Sequence, residues 1–154
     1  MGLTMGMRKS EILKLSWDRV DMKSRIIHLR AEDTKTRKAR SFAISDQAYR
    51  ILKSRRSGSP FIFPSPVNLS QPQMSGMARA WANCKAKAKV NGRFHDLRHT
   101  FLTIAFRSKD VNPALVCFYA GLSLDEAQRT YLHFDTDDTR LVVLALRENW
   151  GKNV

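Results

Sequence analysis

His95-Asp96-Leu97-Arg98-His99-Thr100-Phe101 is the stretch on which the reading of this chain turns. Leu97, Phe101, Ile104 and Ala105 recur at helical spacing, so the segment reads as a helix ending near Lys109, with His95 and Arg98 in its first turn. A cation at that end opposes the helix dipole by about 0.3 to 1 kcal/mol unless an anion is held there too. Upstream, Arg8 in Gly6-Met7-Arg8-Lys9-Ser10-Glu11 also sits at a helix start, because Ile12, Leu13 and Leu15 give residues 8 to 15 an apolar side. Downstream lies Tyr131, in Thr130-Tyr131-Leu132-His133.

Between these helical segments the period changes. Residues 17 to 22 and 25 to 29 have strand character, joined by Asp21-Met22-Lys23-Ser24, and Arg40-Ser41-Phe42-Ala43-Ile44 alternates polar with apolar as a third strand. Residues 33 to 39 then form the basic tip of a hairpin, a mobile loop carrying Lys35. Ser45 caps a helix running to about Arg56, which Ser57-Gly58-Ser59-Pro60 stops. Helices are predicted over about 70 to 90 with Trp81, over 112 to 120, over 123 to 132 and over 136 to 149. The expected fold class is α+β: a mostly helical single domain of residues 1 to 154 with one small three-stranded antiparallel sheet.

The chain's 154 residues, 43% of them apolar and 9% aromatic, suffice for one domain with a real core. Twenty-seven Lys and Arg against 14 Asp and Glu give a formal charge of +13, which favours a polyanionic partner, nucleic acid first. No run approaches the ~20 apolar residues needed to cross a bilayer, and the start shows no signal-peptide pattern. A cytoplasmic, nucleoid-associated location without membrane contact is therefore expected. Cys84 and Cys117 lack a CxxC partner and read as buried, reduced thiols.

Arginine, histidine, lysine and tyrosine in this set suit phosphodiester cleavage without metal. A guanidinium fork matches the nonbridging oxygens where an ammonium does not, which nominates Arg8 and Arg98 as phosphate-binding. A free tyrosine has a pKa of about 10, so only about one in a thousand is phenolate at neutral pH, a gap of roughly 4 kcal/mol. Arginine charge and a proton acceptor such as His95 would close it for Tyr131. The leaving 5′ oxygen needs a proton, which Lys35 on its loop would supply, with Lys38 on the same hairpin as the alternative. Taken singly, these residues read as surface arginines, a helix-start cap, a packed aromatic and a basic turn; the joint pattern carries the reading. His95 and His99 are spaced i, i+4 like a helical metal pair, but Asp96 stands where HExxH has glutamate and no cysteine is nearby, so no metal is assigned.

The four segments together resemble the catalytic domain of the tyrosine recombinases, the phage integrase family. Gly6 to Leu13 resembles the first arginine box, Thr34-Lys35-Thr36 the lysine hairpin, His95 to Phe101 the second arginine box and Thr130 to His133 the nucleophile box. The resemblance implies that Arg8 and Arg98 clamp the scissile phosphate, His95 assists proton transfer, Lys35 is the general acid and Tyr131 forms a 3′-phosphotyrosyl link. It implies double-stranded DNA as partner and no cofactor or metal. Two departures stand out. Gly121 is followed by Leu122, where the family usually has His or sometimes Trp, and leucine cannot donate to the phosphate. Arg8 also comes almost at once, so a core-binding domain and the first catalytic-domain helices are expected to be absent and DNA encirclement incomplete.

These features predict a site-specific recombinase or integrase domain acting in phage or mobile-element integration. The alternative is a degenerate or truncated homologue that binds DNA without completing recombination. A relaxase like the type IB topoisomerases shares the chemistry but normally comes in a much larger chain. Leu141-Val142-Val143-Leu144-Ala145-Leu146 is apolar on every side, which predicts self-association through the C-terminal helix, with docking in cis as the alternative.

Overall fold

The computed structural model describes residues 1 to 55, 58 to 73, 77 to 108 and 110 to 132. The expected C-terminal helix and its apolar run lie outside the described residues.

The elements follow in chain order as α1 (Gly2–Met5), α2 (Lys9–Leu13), β1 (Val20–Asp21), β2 (Ile26–Leu29), β3 (Arg40–Ala43), α3 (Asp46–Ser54), α4 (Met77–Ala88), α5 (Asp96–Arg107), α6 (Pro113–Ala120) and α7 (Leu124–Thr130). Short 3-10 turns at Trp17–Arg19 and Ala31–Asp33 flank the first hairpin. The sheet is antiparallel in the order β1-β2-β3, with Ile27 opposite both Val20 and Phe42. Alternation therefore sends Ile27, Leu29 and Phe42 into the core while His28 and Ser41 face outward.

Caps set the helix starts. The Ser45 hydroxyl accepts the Ala48 N–H, Asn112 accepts that of Ala114 ahead of Pro113, and Ser123 accepts that of Glu126. Two buried clusters result. The larger joins α2, the sheet and α3 through residues such as Leu15, Ile27, Phe42 and Leu52. The smaller joins α5, α6 and α7 through Leu102, Val116, Cys117, Ala120, Leu122 and Ala127.

Three expectations need correction, and one helix was not foreseen. Residues 17 to 19 form a 3-10 turn rather than the start of a strand, because Trp17 N–H bonds Pro60 O at 2.9 Å and Ser16 bridges to Phe61. Residues 70 to 73 are not helical: Asn68 accepts the Ser70 and Gln71 N–H groups in a turn, and Pro72 bridges to Pro64. α1, which carries no sequence signal, is held by packing on α5, with Gly2 against Leu97. Cys117 is buried as expected but Cys84 is exposed, since no residue of α4 is buried.

Gly6 ends α1 at φ 60°, and a side chain there would run into the Phe101 ring. Gly121 ends α6 at φ 65°, where a side chain would run into the Arg40 guanidinium. These two tight turns bring the chain's N-terminal region, its sheet and its last described helices to one place.

Candidate active site

The place where they meet is a cleft of about 660 Å³ lined by Arg8, Lys35, His95, Arg98, His99, Glu126 and Tyr131, among others. All five residues nominated from the sequence lie on it, although they come from α2, a hairpin tip, α5 and the end of α7.

Arg98, in the first turn of α5, is only 3% exposed. Its Nη1 donates to Gly6 O at 2.6 Å and to Ala120 O at 2.9 Å, so the glycine turn after α1 and the end of α6 fix the fork. Burial pushes its pKa down to about 10, and neighbouring Arg8 pushes the same way. Arg8 occupies the N-cap position of α2, and its Nη2 donates to Gly121 O at 2.9 Å. Each arginine is thus held by the carbonyl of a left-handed glycine.

Sequence reasoning missed the group that organises them. Glu11 is 2% exposed, accepts the Arg8 backbone N–H at 2.8 Å and pairs with Arg8 Nη1 at 3.3 Å. It also takes a bidentate bond from the buried Arg40 of β3, at 3.1 and 2.9 Å. The signal for Glu11 was its place three residues after Arg8 in the first turn of a helix. Arg40 gave none, because its partner is distant in sequence. With Arg8, Arg40 and Arg98 gathered near Glu11, and Lys9, Lys35 and Glu126 on the cleft wall, cationic groups outnumber carboxylates around the cleft.

Lys35 is exposed on the hairpin tip. The tip is tied at its base, since the Thr34 hydroxyl donates toward Ala31 O and Lys38 O and accepts the Lys38 N–H. Lys35 and Thr36 line the cleft, whereas Lys38 lines a separate hollow of about 270 Å³ with Cys117, Phe118 and Leu122. Of the two hairpin lysines, Lys35 and not Lys38 lies on the cleft wall. Leu122, 8% exposed, belongs to the smaller core cluster and does not line the cleft.

His95 stands at the N-cap position of α5, but its side chain makes no capping bond. Burial, then His99, Arg98, Arg8 and Arg93, lower its pKa below the usual imidazole value. Tyr131 ends α7, stacked on Phe106 at 5.4 Å between ring centroids, and its hydroxyl bonds His99 Nδ1. Burial raises its pKa, and Arg98 offsets only part of that. The arginine charge does not by itself generate a phenolate here, and the imidazole on the hydroxyl is His99 rather than His95. His99 was legible only as the i, i+4 companion of His95; its ring meets that of His95 edge to face at 4.8 Å.

Residues 2–137 match the family described as the phage integrase family, and the chain belongs to it. It is 29% identical over 111 residues to the integrase of Salmonella phage P22, an alignment covering 64% of this chain and 29% of that one. It is 26% identical over 138 residues to the shufflon-specific DNA recombinase of Escherichia coli, covering 86% and 33% respectively. The chain thus spans about a third of the length of these curated relatives. Among solved structures, the Tn1549 transposon integrase in complex with a circular intermediate DNA superposes with a TM-score of 0.70 at 20% identity, over 94% of this chain and 56% of that one. The XerH site-specific recombinase bound to its difH substrate, a pre-cleavage complex, gives 0.70 at 18% identity, over 92% and 44%. At such identities the likeness establishes the fold: a tyrosine recombinase catalytic domain, mostly helical with one small antiparallel sheet.

Proposed function

We propose that residues 1 to 154 act as one catalytic module that cuts and rejoins double-stranded DNA through a 3′-phosphotyrosyl intermediate, in integration or recombination of a mobile element. The observation that carries this reading is the convergence of Arg8, Lys35, His95, Arg98 and Tyr131 on one cationic cleft. Arg8 and Arg98 bind the scissile phosphate, whose negative charge grows as the tyrosine oxygen approaches. Lys35 protonates the leaving 5′ oxygen, His95 assists proton transfer and Tyr131 is the nucleophile. None of these steps calls for a cofactor.

The relatives are an integrase and a DNA recombinase, and the neighbouring structures hold DNA, which supports DNA as the partner here. The exposed α4, with Arg79, Lys85 and Lys87, offers further contacts to backbone phosphate. Self-association through residues 141 to 146 and a cytoplasmic, nucleoid-associated location belong to the same reading. No helix among the described residues is long and apolar enough to cross a membrane.

The test is incubation with nicked suicide duplexes carrying candidate attachment sequences. A covalent protein–DNA adduct that Tyr131→Phe abolishes supports strand transfer. DNA binding without any adduct would mark a binding module, the outcome that Leu122 in place of the family's usual hydrogen-bond donor makes worth testing.

A further inference from the structure

Resting on the strand-transfer reading, one contact goes further. The Tyr131 hydroxyl bonds His99 Nδ1, while the His95 and His99 rings meet edge to face, 4.8 Å apart between centroids. His99 and Phe106 lie two turns apart on one face of α5, so a single helix grips the tyrosine twice: Phe106 stacks on its ring and His99 holds its oxygen. We propose that His99 is a catalytic residue of this site, the base that takes the Tyr131 proton when the strand is cut and returns it when the strand is resealed.

The step balances. In the cleaving direction His99 starts neutral, with its proton on Nε2 and Nδ1 free to accept. As the Tyr131 oxygen forms its bond to phosphorus, its proton passes to Nδ1, the bond from phosphorus to the 5′ oxygen breaks, and the Lys35 ammonium protonates that oxygen. Resealing reverses each transfer: the 5′ hydroxyl gives its proton to Lys35, and the imidazolium returns one to the phenolic oxygen.

The surroundings fit this part. Burial raises the Tyr131 pKa against the pull of Arg98, so a base in contact with the hydroxyl supplies what the nearby guanidinium does not. Around His99 stand His95, Asp96 and Arg98 from α5, Arg8 and Lys9 from α2, Lys35 from the hairpin, and Glu126 with Tyr131 from α7.

His99→Asn tests the assignment, because an amide can hold the hydroxyl by a hydrogen bond but cannot take its proton at neutral pH. Adduct formation on the suicide duplex is followed from pH 5.5 to 9.5 in wild type, His99→Asn and Tyr131→Phe, with DNA affinity and melting temperature measured beside it. The expected result is a wild-type rate that rises through the imidazole range and then levels. His99→Asn should be slowed about 100-fold or more at pH 7, rising about tenfold per pH unit toward the ionisation of the phenol itself, at unchanged DNA affinity. A variant within about threefold of wild type and sharing its pH profile would overturn the proposal, as would a loss matched by equal loss of DNA binding. If wild type binds DNA and yields no adduct, the strand-transfer reading falls, and the contact is judged by imidazole NMR. His99 titrating differently in Tyr131→Phe upholds the contact, and an identical titration overturns it.

Discussion

Arg98 keeps its charge while almost all of its surface is withdrawn from water, with two backbone carbonyls as acceptors and other guanidiniums close by. Desolvation and like charge both work against the cation, and an anion in the cleft answers both. Arg98→Ala is therefore expected to weaken DNA binding and to reduce the slope of log affinity against log salt by about 0.9 for each phosphate no longer neutralised. Anisotropy titrations between 50 and 200 mM salt measure it, and an unaltered slope counts against the clamp. Gly121 is the matching point on the other arginine. Its left-handed φ of 65° and the closeness of Arg40 leave no room for a methyl group, and its carbonyl holds Arg8. Gly121→Ala should cost at least about 1 kcal/mol in denaturant unfolding. A midpoint equal to wild type would show that the turn tolerates a side chain.

Tyr119 joins α6 to the sheet: its hydroxyl donates to Ala43 O at 2.9 Å, and its ring packs on Phe42 and Phe101. Burial pushes its pKa up to about 12 from the ordinary value near 10, with Arg40 pulling the other way. Between those two values the unfolded chain binds fewer protons than the native one, so this contribution is whole below pH 10 and fades as pH rises to 12. Tyr119→Phe should cost about 0.5 to 1.5 kcal/mol at pH 8 and make the alkaline loss of stability shallower than in wild type. Urea melts at a series of pH values from 8 to 12 check both parts; parallel curves would show that the hydroxyl is not the cause. At this scale much of the fold was legible in the sequence. The three-stranded pattern, the Ser45 cap and the helices near 112 to 120 and 123 to 132 all follow local signals of period, capping and turn chemistry. The misses are α1, the turn at Trp17 and the start of α4. These depend on pairings such as Trp17 with Pro60, or Gly2 with Leu97, which no local window contains. The site divides the same way. Five residues stood out by chemical type, but Glu11, Arg40 and His99 act through partners that only folding supplies.

Over the whole molecule, Glu11 is where the two core clusters are tied together. Its carboxylate holds Arg8, which reaches across to the turn between α6 and α7, and it holds Arg40, which anchors the last strand beneath the Lys35 hairpin. Glu11 and Arg40 are almost wholly shielded from solvent and Arg8 is largely so, so removing the one negative charge leaves guanidiniums buried without compensation. Glu11→Gln keeps the volume and some hydrogen bonding but not the charge. It is expected to lose roughly 3 to 5 kcal/mol of stability, the usual cost of breaking a buried pair by removing one partner. The same change sharpens the appetite of the cluster for an external anion. Sulfate should therefore raise the melting temperature of Glu11→Gln more steeply than that of wild type, because an anion bound only to the folded form stabilises it in proportion to its affinity. Arg98→Ala in the same background should blunt that rise if the sulfate sits between the arginines. Equal sulfate responses in wild type and Glu11→Gln would mean that the anion binds elsewhere on this strongly basic surface, and that Glu11 holds the fold together without setting the charge of the cleft.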